Sequence, residues 1–493
     1  MRILRRPGWL ALIVLLLYSG MAVYHNLKPL PQGLNVATPL RISEQAHLLV
    51  DYTWRDENDE RQLEHTIFDR VLELIEGAER LIVLDFFLIN DFAGDASDED
   101  LRALSHELSE ALADRKLAHP DIRIILITDP INTMYGGIRN RALQRLEEAG
   151  VEVVITRLEA LPDSNPAWSG FWRLCCQWFG DARGPGWLPN PVGEQSIPLL
   201  SVFELLNFKA NHRKTLVVDS PGGWTGMVTS ANPHDASSAH SNIAVEFTGQ
   251  AALDLLETER AVPRFSQPSL EWPDIDDTGD FATEDSVGIA NGTESGSGAA
   301  RLQVLTEKAI LYYVLRLLDN SGAGDALDLS MFYLSHRDVI KALLDAHQRG
   351  ADLRVLLDPN TSAFGRAKSG IPNQPVADEL TNAGIPVRWC NTPDEQCHEK
   401  YLLRRTASGE AELIAGSANF TRRNLDNLNL ETNIRLLADH HAPVIRETAA
   451  AFERRWENRP DQEFSVDYEE RARGGWWRYW RYRFMEASGM STF

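Results

Sequence analysis

Cysteine is scarce in this chain of 493 residues, and its spacing is not that of a metal site. There are four cysteines, and no pair of C-x-x-C motifs indicates a zinc site. Cys390 and Cys397 are close enough in sequence to form a disulfide, whereas we expect the adjacent Cys175 and Cys176 not to pair with each other. Four scattered cysteines are equally consistent with plain core residues.

Positive charge is also in short supply. The chain has 49 Lys and Arg residues against 71 Asp and Glu residues, a formal net charge of −22. Such a chain repels polyanions at long range, so net charge gives no support to broad nucleic-acid binding, although local patches can differ. With 43% hydrophobic and 24% charged residues it has an ordinary globular composition, and its length predicts two or three domains.

Residues 7–27 lack charge of either sign. About 20 such residues cross a bilayer as a helix. Arginines precede the segment and an aromatic residue lies near each end, which predicts a single span with its N-terminus in the cytoplasm and the main body outside it, periplasmic in a bacterium. These residues are Arg2, Arg5, Arg6, Trp9 and Tyr24. A cleaved signal peptide is the alternative; without a clear A-x-A site, we favour an uncleaved anchor over it.

Two α/β blocks follow, at residues 45–264 and 301–457. In each, apolar runs typical of buried strands alternate with helical patterns, which predicts a parallel or mixed sheet covered by helices. DIRIILITDP in the first block matches DLRVLLDPN in the second, and GVEVVITR matches GIPVRWCN. We interpret this as an internal duplication.

Three segments lie outside the repeat. Residues 265–300 contain eight acidic residues and no Lys or Arg, which predicts an exposed linker. The first block carries an insertion at about 158–205 that is rich in aromatic residues and fits a membrane interface, an apolar groove or a small satellite core. Its aromatic residues are Trp168, Phe171, Trp172, Trp178, Phe179 and Trp187. Residues 458–493 interleave Arg with Trp and Tyr, as in a segment on anionic lipid, a platform for single-stranded nucleic acid or a helix packed on the body; we favour lipid.

The same short motif occurs once in each block. NHRKTLVVD contains His212 and Lys214, and CHEKYLLRR contains His398 and Lys400. If the motif lies on a strand, residues two apart share one face, so each imidazole lies beside an ammonium. Each motif is followed, 20 or 21 residues after its histidine, by the asparagine of S-A-N. A lone H-x-K is weak evidence, but this repetition is not.

This pattern resembles the phospholipase D superfamily, whose signature is H-x-K-x4-D followed by G-S-x-N, present twice. The resemblance implies an α/β fold of duplicated phospholipase D-like domains, each a mixed β-sheet flanked by helices. It places one active site at the pseudo-twofold interface, and implies that His212 is the nucleophile and His398 the general acid; the residues alone do not fix that order.

The chemistry fits the residue types independently. One histidine attacks phosphorus, and the other donates a proton to the leaving oxygen and then accepts one. Lys214 and Lys400 balance the charge of the phosphoryl oxygens, so no metal and no cofactor is expected. The amides expected to donate to those oxygens belong to Asn232 and Asn419. Ser230 and Ser417 are expected to support the same phosphate cradle.

The two copies depart from the pattern in places. Asp219 occupies the aspartate of the motif in the first copy, whereas Arg405 stands there in the second. Glu431 is a candidate to orient a catalytic histidine, with an exposed strand carboxylate as the alternative. Its counterpart in the first copy is Asn242, and Glu246 on the same strand face is a candidate substitute.

The sequence thus predicts a membrane-anchored phosphodiesterase or phosphatidyltransferase that acts on glycerophospholipids through a phosphohistidine, with water or an alcohol as acceptor. A nuclease of the same superfamily is the first alternative, favoured less than a lipid enzyme. An inactive membrane-bound scaffold is the second. The sequence does not indicate an oligomeric state.

Overall fold

A computed structural model describes residues 6–43, 45–92, 101–178, 186–190, 195–221, 223–275, 300–363, 366–392, 395–491 and 493. Its elements up to the linker are α1 (Arg6–Leu27), β1 (Arg41–Ser43), β2 (Ala46–Arg55), β3 (Arg61–Glu64), α2 (Ile67–Gly77), β4 (Leu81–Phe86), α3 (Leu104–Ala118), β5 (Arg123–Thr128), α4 (Arg141–Ala149), β6 (Glu152–Ile155), α5 (Pro166–Phe171), α6 (Leu199–Leu205), β7 (Lys214–Ser220), β8 (Gly223–Thr229), β9 (Asn242–Thr248), α7 (Gln250–Glu259) and α8 (Ala261–Ser266).

The elements after the linker are β10 (Ala300–Thr306), α9 (Lys308–Asp319), β11 (Ala326–Met331), α10 (Arg337–Gln348), β12 (Asp352–Leu357), β13 (Ser362–Ala363), β14 (Arg366–Ala367), α11 (Asn373–Asn382), β15 (Val387–Cys390), β16 (Lys400–Arg405), β17 (Glu410–Gly416), α12 (Arg422–Leu425), β18 (Thr432–Asp439), α13 (Pro443–Glu457), β19 (Ser465–Asp467), α14 (Tyr468–Arg471) and α15 (Trp476–Ser488).

Two large mixed sheets carry the same strand order. The first sheet runs β3-β2-β9-β8-β7-β4-β5-β6, and the second runs β1-β10-β18-β17-β16-β11-β12-β15-β19. Without the added edge strands β3, β1 and β19, the two orders correspond strand for strand. The predicted fold class, a duplicated α/β architecture with mixed sheets flanked by helices, is confirmed.

The central strands are apolar on both faces because both faces are covered. Every residue of β4 is buried, as are all residues of β5 except Arg123. The pairs β4–β5 and β11–β12 are parallel, whereas β7 and β16 join their sheets antiparallel to β4 and β11. This arrangement brings the start of β7 and the start of β16 to the edge of each sheet where the parallel strands end.

The two sheets pack on each other through a shared core. One apolar cluster contains Val228 and Val245 of the first sheet together with Leu413 and Leu436 of the second, and all four are fully buried. At about 25 cal/mol per Å² of buried apolar surface, such a core holds the halves together strongly. The interface between the halves is therefore a fixed position for a shared site.

The linker prediction falls largely outside the described residues, since residues 276–299 are not among them. The N-terminal prediction has a structural counterpart in α1. Among the described residues, the 20 from Gly8 to Leu27 form one helix long and apolar enough to cross a membrane, and length and composition are the whole of that evidence.

Candidate active site

Each histidine segment is held by the opposite half of the chain. The backbone N–H of His212 donates to the carbonyl of Leu430 at 2.9 Å, and the N–H of His398 donates to the carbonyl of Ser241 at 2.8 Å. Strands β7 and β16 begin at Lys214 and Lys400, so each histidine precedes its strand rather than lying on it. The imidazoles are thereby carried into the interface, where the two motifs meet.

Each lysine is folded back onto its own histidine segment. Lys214 Nζ donates to the carbonyl of His212 at 2.7 Å, and Lys400 Nζ donates to the carbonyl of His398 at 2.5 Å. Both lysines are fully buried. A buried ammonium that is bound to a neutral carbonyl keeps part of its charge uncompensated, which makes it ready to bind an anion.

An aromatic ring that sequence reasoning missed lies under each His–Lys pair. The Phe87 ring lies 5.0 Å from the His212 ring and 5.3 Å from Lys214 Nζ. Phe332 occupies the same place in the second half, at 4.9 Å from the His398 ring and 5.1 Å from Lys400 Nζ. Aligning LDFFLI with LSMFYL reveals the pair, because these two phenylalanines occupy matching positions.

The group behind each histidine also comes from the opposite half. Glu431 contacts His212 Nδ1 at 2.9 Å, and Asn242 Oδ1 contacts His398 Nδ1 at 3.1 Å. An acceptor at Nδ1 places that proton on Nδ1 and leaves Nε2 free for chemistry. The two histidines are alike in position and different in electrostatics, since one has a carboxylate behind it and the other a neutral amide.

Burial sets the protonation of the centre. It lowers the pKa of His212 to about 4 despite the opposing charge of Glu431. Burial works to raise the pKa of Glu431 too, but His212 and Lys214 lower it below its ordinary value. The pair is therefore a neutral imidazole beside a carboxylate at neutral pH. Burial and the charge of Lys400 likewise lower the pKa of His398 well below its ordinary value.

The lysines are perturbed in the same direction. Burial lowers the pKa of Lys214 to about 7. Burial, with the charge of Lys214 next in importance, lowers the pKa of Lys400 well below its ordinary value. Two ammonium groups so close together repel each other, and a bound anion relieves that repulsion.

The serines of the two S-A-N motifs bind other side chains and not the phosphate cradle that the sequence predicted for them. Ser230 Oγ donates to Asn242 Oδ1 at 2.9 Å, and Ser417 Oγ donates to Glu431 at 2.5 Å. Each serine hydroxyl has a single proton, and it is already donated to Asn242 or Glu431, so neither hydroxyl is left to donate to a phosphate. Assigning Ser230 and Ser417 to the phosphate cradle is therefore wrong: they hold the side chains that orient the histidines. Asn232 and Asn419 do line the cavity at the centre.

Glu246 does not replace Asn242. Its carboxylate accepts two hydrogen bonds from Arg70, both at 2.8 Å. That ion pair holds Glu246 on the outer side of its sheet against α2, while Asn242 itself reaches His398. The hypothesis that Glu246 is a supporting site residue is therefore a misassignment.

The motif aspartate supports the strand rather than the centre. Asp219 accepts the backbone N–H groups of Arg80 and Leu81 at 2.9 and 2.8 Å, at the end of β7 remote from His212. In the second half Arg405 donates to Asp328 at 2.8 Å, so an ion pair replaces those backbone bonds. Loss of the aspartate in the second copy thus leaves the catalytic end of β16 intact.

A second pair of aspartates, also missed, fixes the backbone in front of each histidine. Asp129 accepts the N–H of Asn211 at 2.7 Å, and Asp358 accepts the N–H of Cys397 at 2.8 Å. Burial raises the pKa of Asp129 to about 7 and that of Asp358 to about 6. The duplicated Asp-Pro or Asp-Pro-Asn ends of the matched phrases are the sequence signal that could have revealed them.

The two histidines open into one cavity of about 410 Å³. Both motif asparagines and both phenylalanines line it, together with apolar residues from both halves of the chain. These further residues include Ile131, Leu205, Phe208, Tyr333 and Phe493. The centre is polar at its floor and largely apolar at its walls.

The C-terminal segment is built into the body and also exposes aromatic residues. Tyr482 is fully buried, its hydroxyl donating to the carbonyl of Ser335 at 2.7 Å, and Phe493 reaches the cavity. On its other face α15 exposes Trp476, Trp477 and Trp480 by 51% or more. The packed helix and the exposed aromatic surface, alternatives at the sequence level, are two faces of one element.

Both cysteine pairs form disulfides in the structure, Cys390 with Cys397 and Cys175 with Cys176. The expectation that the adjacent cysteines do not pair is wrong, because the π-helical turn Trp172–Cys176 brings the two sulfurs together. Phe179 of the aromatic insertion lies outside the described residues.

Part of this sequence and the fold resemble those of known proteins. A family model described as "Cardiolipin synthase, PLD-like domain" matches residues 314–456. The human mitochondrial cardiolipin hydrolase is 30% identical over 136 residues, which is 28% of this chain and 47% of that protein. These matches support the assignment of the chain to the phospholipase D superfamily. The chain spans about half the length of that curated relative. The crystal structure of phosphatidylserine synthase from Haemophilus influenzae Rd KW20 superposes with a TM-score of 0.50 at 11% identity, covering 89% of this chain and 92% of that one. That structural likeness shows the fold alone.

Proposed function

We propose that the protein cleaves glycerophospholipid phosphodiesters through a phosphohistidine, with the phosphatidyl group passing to water or an alcohol. The observation that carries the proposal is the paired histidine centre at the floor of a cavity with apolar walls. The two imidazoles, each held at Nδ1, face a cavity lined by Asn232 and Asn419, and Lys214 and Lys400 lie behind the histidine segments. A phosphodiester requires a nucleophile, an acid and donors of this kind.

The two groups behind the histidines favour His212 as the nucleophile. When Nε2 of His212 attacks phosphorus, an N–P bond forms and the imidazole ring gains positive charge. The Glu431 carboxylate at Nδ1 stabilises that charge. Binding of the anionic phosphodiester favours protonation of His398 at Nε2. The bond to the leaving oxygen then breaks, and that oxygen takes this proton; the neutral amide of Asn242 does not stabilise the imidazolium, so His398 is a strong acid.

The second step reverses the roles. His398, now neutral, takes a proton from water or an alcohol, whose oxygen attacks phosphorus as the N–P bond to His212 breaks. Lys214 and Lys400 balance the charge of the phosphoryl oxygens in both steps, and the amides of Asn232 and Asn419 donate to them. This mechanism requires no metal ion.

Three features favour a lipid over a nucleic acid. The cavity walls are apolar, the chain is strongly acidic, and α1 is long and apolar enough to anchor the body to a membrane. The matched family and the human relative are both named for cardiolipin, which points to the same substrate class. We place the N-terminus in the cytoplasm and the body on the other side, because Arg2, Arg5 and Arg6 precede α1.

The test offers the purified full chain two labelled substrates, phosphatidylglycerol vesicles and a single-stranded oligonucleotide, and resolves the products by mass. We expect lipid turnover that is lost in His212→Ala, with the product mass separating transfer from hydrolysis. Cleavage of the oligonucleotide with inert lipid would assign the protein to the nucleases of the superfamily. Inertness toward both would support a scaffold.

A further inference from the structure

The apolar helix α1 is attached to the body along its second half only. Side chains from Gly8 to Leu17 are all exposed, and from Tyr18 onward one face of the helix is partly covered. Tyr18 donates to the carbonyl of Ala167, and Asn26 donates to the carbonyl of Asp163, both at 2.7 Å. Gly170 of α5 lies at the crossing, where a Cβ would come within 2.9 Å of the Tyr18 carbonyl.

The length of α1 then limits how far the body lies from the membrane. The span from Gly8 to Leu27 has 20 residues, about 30 Å at 1.5 Å per residue, which matches the hydrocarbon thickness of a bilayer. The free part, from Gly8 to Leu17, covers only about half of that distance. If α1 crosses the membrane as it is docked here, the part of the body that touches its second half lies inside the bilayer.

The surface at that level suits hydrocarbon. Phe171 is 47% exposed and Trp178 is 71% exposed, next to α1 on the same insertion. Between residues 166 and 178 the one charged residue is Arg173, whose side chain is 8% exposed and paired with Asp163 at 3.1 Å. Lys209 closes the same buried cluster at 2.6 Å from Asp163. The stretch 166–178 therefore turns aromatic rings outward and keeps its one charge paired within the body.

The end of the insertion leads to the active site. Leu205 and Phe208 lie in the cavity wall, a short distance along the chain from the histidine that begins the catalytic motif. We propose that residues 166–178 of the insertion are immersed beside α1 in the half of the bilayer that faces the body, and that the active-site cavity receives its lipid from within the membrane. The lipid route rests on the proposed function, whereas immersion rests on α1 and the insertion.

Immersion is tested by tryptophan quenching with the full chain in vesicles of phosphatidylcholine brominated on its acyl chains. We expect Trp178→Phe to remove a quenched fraction of the fluorescence. The half-buried Trp456 of α13 provides the matched control, and Trp456→Phe should leave the quenched fraction unchanged. An unchanged fraction in Trp178→Phe would overturn immersion and indicate that the body stands clear of the bilayer.

The lipid route is tested with Phe171→Asp and Trp178→Asp, which place a charge in the proposed hydrocarbon contact. Turnover of long-chain lipid in vesicles should fall about tenfold or more, with turnover of a soluble dihexanoyl lipid unchanged. Tyr312→Asp on α9, where the tyrosine is 58% exposed, is the control and should leave both rates unchanged. An unchanged vesicle rate in the first two variants would overturn the route. If the wild-type protein were inert toward both lipids, the proposed function would be overturned. The quenching experiment would still test immersion, because it does not depend on turnover.

Discussion

Glu431, supplied by the second half of the chain, lies 2.9 Å from Nδ1 of His212, supplied by the first half. Asn242 and His398 repeat the relationship in the opposite sense at 3.1 Å. Neither half therefore holds a complete histidine site. The exchange explains why two copies in one chain produce one centre, and why the copies have diverged at the residues behind the histidines.

Replacing Glu431 by Gln should lower turnover by at least about 100-fold, because a neutral amide no longer stabilises the charge on the His212 ring. The side chain keeps its size, so the melting temperature should change little. Glu246→Gln is the matched control and should keep full turnover, since Glu246 binds Arg70. Equal losses in the two variants would contradict the role of Glu431.

Substitutions of the serine and of the asparagine in an S-A-N motif should affect different steady-state constants. Asn419→Ala removes a donor to the phosphoryl oxygens, so competitive inhibition by dibutyl phosphate should weaken about tenfold or more. Ser417→Ala should lower kcat and leave that inhibition constant unchanged, because Ser417 holds Glu431 and is buried. The opposite pattern would return Ser417 to the phosphate cradle.

Binding of an anion should depend on pH through Lys214. Burial lowers its pKa to about 7, so the free site loses this positive charge as the pH rises from 6 to 8. A bound phosphodiester favours the charged form, and affinity for dibutyl phosphate should therefore fall with rising pH, by up to about tenfold per unit above the pKa for each lysine involved. Calorimetry at each pH gives the slope.

Lys214→Met provides the control for that slope. It should weaken binding at pH 6 and make the remaining pH dependence shallower, since Lys400 alone then contributes. A slope that is identical in wild type and variant would show that another group controls anion binding.

The exposed aromatic face of α15 should bind anionic vesicles. Replacing Trp476, Trp477 and Trp480 by Ser should weaken vesicle binding in a sedimentation assay and leave turnover of a soluble diester unchanged, because these rings point away from the body. Deletion of residues 471–493 should instead reduce both, because Tyr482 is packed in the core and Phe493 lines the cavity. Vesicle binding unaffected by the triple substitution would remove α15 from the membrane contact.

The repeated motifs made the duplicated fold and the His–Lys pairs predictable. Local sequence also indicated Glu431 and Asn242 as candidates, because each lies shortly after its S-A-N motif. It could not assign Glu431 to His212 and Asn242 to His398, since that exchange depends on how the halves pack. Ser230 and Ser417 were misassigned for the same reason: only packing shows that these hydroxyls face the histidine supports.

Contacts between residues far apart in the sequence could not be predicted from local sequence patterns. Arg213 pairs with Glu259 at 3.2 Å, whereas at the matching positions Glu399 pairs with Arg455, so the charges are reversed between the halves. The H-x-K motif leaves the residue between His and Lys unspecified. Only the structure shows that the charged residue at this position is buried with its partner in each half. The docking of α1 on Gly170 likewise depends on a contact about 150 residues away in sequence.

The covalent intermediate is the most direct test of the central claim. His398→Asn should accumulate a phosphatidyl adduct from vesicles of phosphatidyl-p-nitrophenol, because p-nitrophenolate leaves without a proton from His398 whereas the base that activates the acceptor is missing. Quenching in alkaline denaturant preserves the N–P bond for peptide mass spectrometry. We predict a phosphatidyl mass on His212 and none in a protein that also carries His212→Asn. An adduct on another residue, or full turnover without His212, would contradict the account.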